Sequence, residues 1–202
     1  MSGSGSRAAV AWIALALSGC APTAALMTPP PSVKPGPGQG DETTGGIEFA
    51  AGGVGSSIAY GPWRLKGEGI DLAYAGDGAW AGTWNGSAAR FTASQGLLQG
   101  PGTAVRIDQR DGALALRGTW AGRPIDLTVS RTGLQGTTSQ GACSLDLRST
   151  GTGNLTGSLG CPGGEGRPAT SATGTLRLLG EAVLVPDVLL PQFVLALLTA
   201  LP

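Results

Sequence analysis

Residues 77–86 read Asp-Gly-Ala-Trp-Ala-Gly-Thr-Trp-Asn-Gly, and residues 111–122 read Asp-Gly-Ala-Leu-Ala-Leu-Arg-Gly-Thr-Trp-Ala-Gly. One phrase is used twice. Each copy runs on to a similar ending, Leu97-Leu98-Gln99-Gly100 in the first and Gly133-Leu134-Gln135-Gly136 in the second. Gly-rich tight turns between alternating apolar residues specify hairpins, because a two-residue turn needs positive φ and a strand needs a side-chain period of two. The repeat therefore commits this stretch to an antiparallel β meander.

Register tests that expectation, since a hairpin must place its apolar residues opposite one another on one face. With Asp111-Gly112 as a turn, Val105 faces Gly118, Ile107 faces Leu116 and Gln109 faces Leu114. With Ala121-Gly122 as the next, Gly118 faces Ile125, Leu116 faces Leu127 and Leu114 faces Val129. Arg106, Asp108, Arg110, Arg117 and Thr119 then fall on the other side. In the earlier copy Asn85-Gly86 pairs Gly82 with Ala89 and Trp80 with Phe91. A three-residue loop at Gly76-Asp77-Gly78 sets Tyr74 against Trp80, Leu72 against Gly82 and Ile70 against Trp84. Reading Cys143 to Cys161 as a hairpin turning near Thr152 puts Leu145 opposite Leu159 and Leu147 opposite Gly157. Cys143 then faces Cys161, and in an oxidising compartment the two thiols are expected to form a disulfide.

Further strands are expected at Ile47–Ala51, Ile58–Leu65 and Gly174–Leu179, for a total of about nine or ten. The expected fold class is all-β, an up-and-down antiparallel meander closing as a small barrel, or a two-sheet sandwich, with a short C-terminal helix. Closure is favoured because an open edge on a Gly-rich sheet with only 13% charged residues would invite aggregation. Facing pairs such as Leu116 with Leu127 imply a filled interior.

Arg7 precedes the apolar run Ala8–Leu17, which is too short to span a bilayer and is followed by small residues, the pattern of a secretory signal. Its end, Leu17-Ser18-Gly19-Cys20, resembles the lipobox of bacterial lipoproteins. The resemblance implies cleavage before Cys20, diacylglycerol on its thiol and N-acylation, as by palmitate, of the new terminus. Ala21 stands where an Asp would mark inner-membrane retention, so the expected localisation is the cell outer membrane, on its periplasmic or surface face. The tract Thr28–Gly38, with Pro29, Pro30, Pro31, Pro35 and Pro37, reads as a semi-rigid tether. The expected division is a signal peptide over 1–19, a lipidated N-terminus and tether over 20–45, a β domain over 46–182 and an apolar helical tail over 183–202.

In that tail Asp187 can cap a first turn, Pro191 suits a helix start, and Phe193–Leu201 is apolar almost all round. Such a helix must be buried. It is expected to cap the barrel mouth or one sheet, with docking of an envelope protein partner as the sharper alternative.

Function is less legible. The sequence contains no His, which removes the usual general base and triad, and two thiols alone do not complete a zinc shell. The carboxylate pairs Glu68 with Asp71 and Asp108 with Asp111 fall at outward or turn positions beside Arg. No motif supports an enzyme, and no cofactor or metal site is expected. Thirteen basic residues balance thirteen acidic ones without a basic cluster, so nucleic acid is not an expected partner. Gly61-Pro62-Trp63, Gly82-Thr83-Trp84 and Gly118-Thr119-Trp120 resemble the G-x-W start of lipocalins. The triplet recurs three times without a companion motif, and it reads as Trp packing over small-residue strands. The expected function is a structural or accessory β module in an envelope assembly, attached to the membrane by its lipid anchor. The alternative is a module that binds an apolar small molecule or glycan against Trp63, Trp80, Trp84 and Trp120.

Overall fold

The computed structural model describes residues 42–138, 143–163, 169–184 and 191–202. Lipidation at Cys20, the tether and the Asp187 cap lie outside the described residues. The chain forms β1 (Gly45–Ala51), β2 (Val54–Tyr60), β3 (Arg64–Gly67), β4 (Ile70–Gly76), β5 (Ala79–Trp84), β6 (Ser87–Ser94) and β7 (Leu97–Gly100). It continues through β8 (Thr103–Arg110), β9 (Ala113–Trp120), β10 (Arg123–Ser130), β11 (Gly133–Thr137), β12 (Ser144–Gly151), β13 (Asn154–Cys161) and β14 (Thr170–Gly180). A 3-10 turn at Glu181–Leu184 and helix α1 (Pro191–Ala200) follow. Each strand pairs antiparallel with the next, and β14 closes on β1 from Gly45 opposite Gly180 to Ala51 opposite Gly174. The result is one closed 14-strand barrel with no free edge.

The register follows the turns. Asn85-Gly86, Asp111-Gly112 and Ala121-Gly122 all hold positive φ at both positions, which twists the ribbon as the flanking strands require. Consequently Trp80 pairs with Phe91, Ile107 with Leu116, and Leu116 with Leu127, as expected. The loop after β4 is a two-residue turn at Asp77-Gly78 with a bulge between Tyr74 and Gly76. The pairing of Tyr74 with Trp80 is the same either way.

Two expectations about the strands need correction. The described residues form fourteen strands rather than nine or ten. The segment Ile58–Leu65 is two strands, because Gly61–Trp63 turns the chain between β2 and β3. The four-residue strands β3 and β7 are too short to display an alternation that stands out from a turn.

Inward positions are mostly apolar, among them Ile47, Leu65, Leu72, Val105, Leu134, Leu147 and Leu176, with Thr103 and Thr138 as buried polar exceptions. Outward positions carry charge, often paired across strands: Arg177 Nη1 lies 2.7 Å from Glu48 Oε2 and Arg117 Nε 3.2 Å from Asp126 Oδ1. That polarity is the reverse of a bilayer-spanning barrel, which is apolar outside and polar within. Among the described residues no helix is long and apolar enough to cross a membrane.

Eight strands already make a barrel that wall side chains can fill, so fourteen leave a wider lumen. The tail fills it. Helix α1 lies against β1 and β2. Every residue from Phe193 to Leu197 is fully buried. The helix thus runs inside the barrel instead of covering a mouth. Thr199 turns its hydroxyl back to the Leu195 carbonyl at 2.7 Å, and Ser56 on the wall donates to the Ala200 carbonyl at 2.7 Å. Both bonds satisfy polar atoms that the apolar lumen would otherwise strand.

Cys143 and Cys161 are disulfide-bonded, joining residues 18 apart at one rim. In the chain-entropy model a loop of that length contributes about 3 kcal/mol. Reduction under native conditions, followed by urea unfolding, is expected to show a loss of about that size. A loss below about 1 kcal/mol would mean that the flanking strands hold the loop closed without the bridge.

Candidate functional site

The alternation of hairpin turns gives the barrel two distinct mouths. At the N-terminal mouth the chain enters β1 and leaves β14, and the turns at 61–63, 77–78, 95–96, 111–112, 131–132 and 152–153 form the rim. The disulfide mouth carries the turns at 52–53, 68–69, 85–86, 101–102 and 121–122, together with the Cys143–Cys161 bridge. Helix α1 runs from the first toward the second, because its C-terminal carbonyl meets Ser56 near the start of β2.

The four candidate Trp residues divide between these mouths. Trp80 is fully buried near the N-terminal mouth, with Tyr74 between it and Trp63 at centroid distances of 5.6 and 5.8 Å. Trp84 and Trp120 end β5 and β9 at the disulfide mouth, 5.3 Å apart. Phe91 packs against both, at 5.4 and 5.7 Å. Two strands that lie four places apart along the wall therefore bring their rings into contact across it. The structure does not gather the four Trp residues into one binding face.

Close curvature here depends on glycine. A Cβ at Gly118 would strike the Ala104 carbonyl oxygen, and one at Gly100 would strike the Phe91 ring. Gly118 also holds φ +137, a conformation other residues rarely adopt. These bare positions let neighbouring backbone and aromatic rings approach, which bends the wall.

Among the described residues four buried side-chain donors lack a partner, Thr44 Oγ1, Tyr60 Oη and Trp80 Nε1 toward the N-terminal mouth and Thr138 Oγ1 at the disulfide mouth. Tyr60 closes β2 with its ring over Gly45, and the hydroxyl is buried without a hydrogen-bond partner. Burial, and secondarily the nearby Glu181 carboxylate, push its phenol far above the ordinary range, so it stays a neutral donor. Trp80 Nε1, also a donor, is buried and unpartnered. Sequence reasoning marked Trp80 but missed Tyr60, whose inward direction follows only from its pairing with Gly45 and Leu65.

The carboxylates take structural positions. Asp71 accepts two bonds from Arg64, Nε to Oδ1 and Nη2 to Oδ2, both at 3.0 Å. The Arg64 hydrogen bonds hold the Asp71 carboxyl below its usual range. A depressed folded-state value stabilises above the unfolded value of about 3.9, and the contribution is lost as pH falls through the lower folded value. Both side chains are over a third exposed, so solvent screening leaves under about 1 kcal/mol. Arg64→Ala is expected to lower stability by that amount at pH 7 and by nothing measurable at pH 2. An undiminished loss at pH 2 would show that the effect is packing and not charge. Asp108 pairs with Arg106, Nε to Oδ2 at 3.2 Å, on the outer surface. Among the described residues no group of His, Cys, Asp or Glu could hold a metal ion.

Outside the barrel a cleft of about 480 Å³ lies beside the N-terminal mouth, lined by Glu42, Ser57, Ala59, Arg64 and Lys66 among others. A second of about 390 Å³ borders the turns at Arg131 and Thr152-Gly153 on the same rim. Neither is lined by a Trp. No protein-family model, curated protein or solved structure matches the chain.

Proposed function

We propose that the protein is a lipid-anchored envelope lipoprotein whose folded part is a structural or accessory β module of the outer membrane. The observation that carries the module reading is a barrel with no free edge whose lumen is occupied by its own C-terminal helix. Such a body is stable without a ligand and presents a polar, ion-paired outer wall to its surroundings. The anchor reading rests on Leu17-Ser18-Gly19-Cys20 and the apolar run before it. A disulfide suits an oxidising envelope compartment. An envelope partner that used the tail would have to draw it from the lumen, whereas the outer wall is available as it stands.

Expression of the full chain in a diderm bacterium fed an alkyne-tagged fatty acid tests the anchor. The native chain is expected to carry the label and to fractionate with the outer membrane, and Cys20→Ala to lose both properties. An unlabelled native chain would refute the assignment. A second reading, binding of an apolar molecule, is favoured by the unpaired donors Tyr60 Oη and Trp80 Nε1 in the lumen.

A further inference from the structure

We infer that the lumen is a binding site for a single-chain amphiphile with a hydrogen-bond-accepting head, and that helix α1 is its displaceable resident. The inference deepens the second reading above and is independent of the lipid anchor. The barrel wall closes through its own ladder, seven residue pairs joining β1 to β14, so its hydrogen bonds do not depend on the helix. Among the described residues the helix adds apolar packing and one bond to the wall, from Ser56 to the Ala200 carbonyl. An apolar rod of similar length offers the wall the same contacts. An extended acyl chain is such a rod.

The direction of the ligand follows from the polar atoms. Of the four buried side-chain donors without a partner among the described residues, Thr44 Oγ1, Tyr60 Oη and Trp80 Nε1 stand nearest the N-terminal mouth, and Thr138 Oγ1 stands at the other. Tyr60 and Trp80 are each 1% exposed or less, and each faces inward by its strand register. A buried donor without an acceptor is costly, and with α1 in place neither donor is satisfied. A carboxylate or ester head in that half would supply an acceptor of the kind these donors lack, with its chain running toward Phe91, Trp84 and Trp120 at the far mouth. The binding energy would come from chain burial and the specificity from the head.

The test uses the full chain with cis-parinaric acid, a fluorescent fatty acid, and in parallel a lysophospholipid carrying the same chain, which separates free acid from lipid ester as the source. Saturable one-to-one binding of either probe is expected. Tyr60→Phe keeps the ring and loses the donor, and should weaken binding about fivefold; Ser56→Ala loosens the resident helix and should tighten it about fivefold. Ala196→Cys, fully buried in the native chain, should become reactive to maleimide in step with saturation. If that variant does not fold, chymotrypsin cleavage near Phe193 in the unmodified chain gives the same readout. Absence of saturable binding by the native chain and by Ser56→Ala overturns the inference. So does binding that leaves residue 196 and the Phe193 site protected, or an affinity unchanged by Tyr60→Phe.

Discussion

Leu195→Asp is expected to abolish the packing of α1 in the lumen. Leu195 is fully buried in the middle of α1, and the buried polar residues among those described are Thr103, Thr138 and Gln192, none of them basic. An isolated carboxylate placed there has neither water nor a cation, and its cost exceeds about 5 kcal/mol even after the group shifts toward its neutral form. That is comparable with the whole stability of a domain this size, about 5–15 kcal/mol. Near-ultraviolet circular dichroism and urea unfolding should show lost tertiary packing. Leu195→Met, close in volume, should cost less than about 1.5 kcal/mol. A loss below about 1 kcal/mol for the Asp variant would mean that the helix does not occupy the lumen.

The second large effect is expected from Gly118→Val. The new Cβ would be driven into the Ala104 carbonyl oxygen of β8, and a β-branched residue would be held at φ +137. Backbone strain and overpacking together amount to about 3–5 kcal/mol. Gly112→Ala is the informative contrast. It too sits at positive φ, +71, but with open space around it, so only the conformational cost of about 1–2 kcal/mol applies. Equal losses at the two positions, measured by urea unfolding, would contradict a wall bent by close backbone approach at Gly118.

These two positions also mark where the sequence was legible. Register could be read because each turn fixes its own hairpin: once Asp111-Gly112 and Ala121-Gly122 are turns, the pairing of Leu116 with both Ile107 and Leu127 is arithmetic. The Cys143–Cys161 bridge came from the same count. Strand number was not legible, because β3 and β7 are four residues long and give no period to detect. The site of the tail was not legible either. A helix apolar on every face declares that it is buried, but the space that receives it exists only once fourteen strands have closed. Of the Trp set, the sequence marked all four residues and could place none against another. The contact of Trp84 with Trp120 depends on wall curvature, a property of the whole sheet.

The unpaired donors are a further case. Tyr60 and Trp80 break the rule that buried polar groups are bonded, and such breaks in an otherwise consistent fold concentrate at functional sites. Neither residue type signals this in a sequence. Only the placement of Tyr60 over Gly45, with backbone on one side and the lumen on the other, makes its hydroxyl conspicuous.

Residue-resolved amide hydrogen exchange on the full chain tests most directly whether the barrel closes around its own C-terminal helix. The structure predicts that, without ligand, the amides of Leu195–Leu198 exchange far more slowly than the exposed turn at Gly52-Gly53, though faster than those of Ile47 and Leu178, the facing residues of the strands that close the ring, since α1 can leave a lumen whose wall stays paired. Helix amides exchanging as fast as the exposed turn at Gly52-Gly53, with the strand amides still protected, would place the tail outside the barrel and contradict the account.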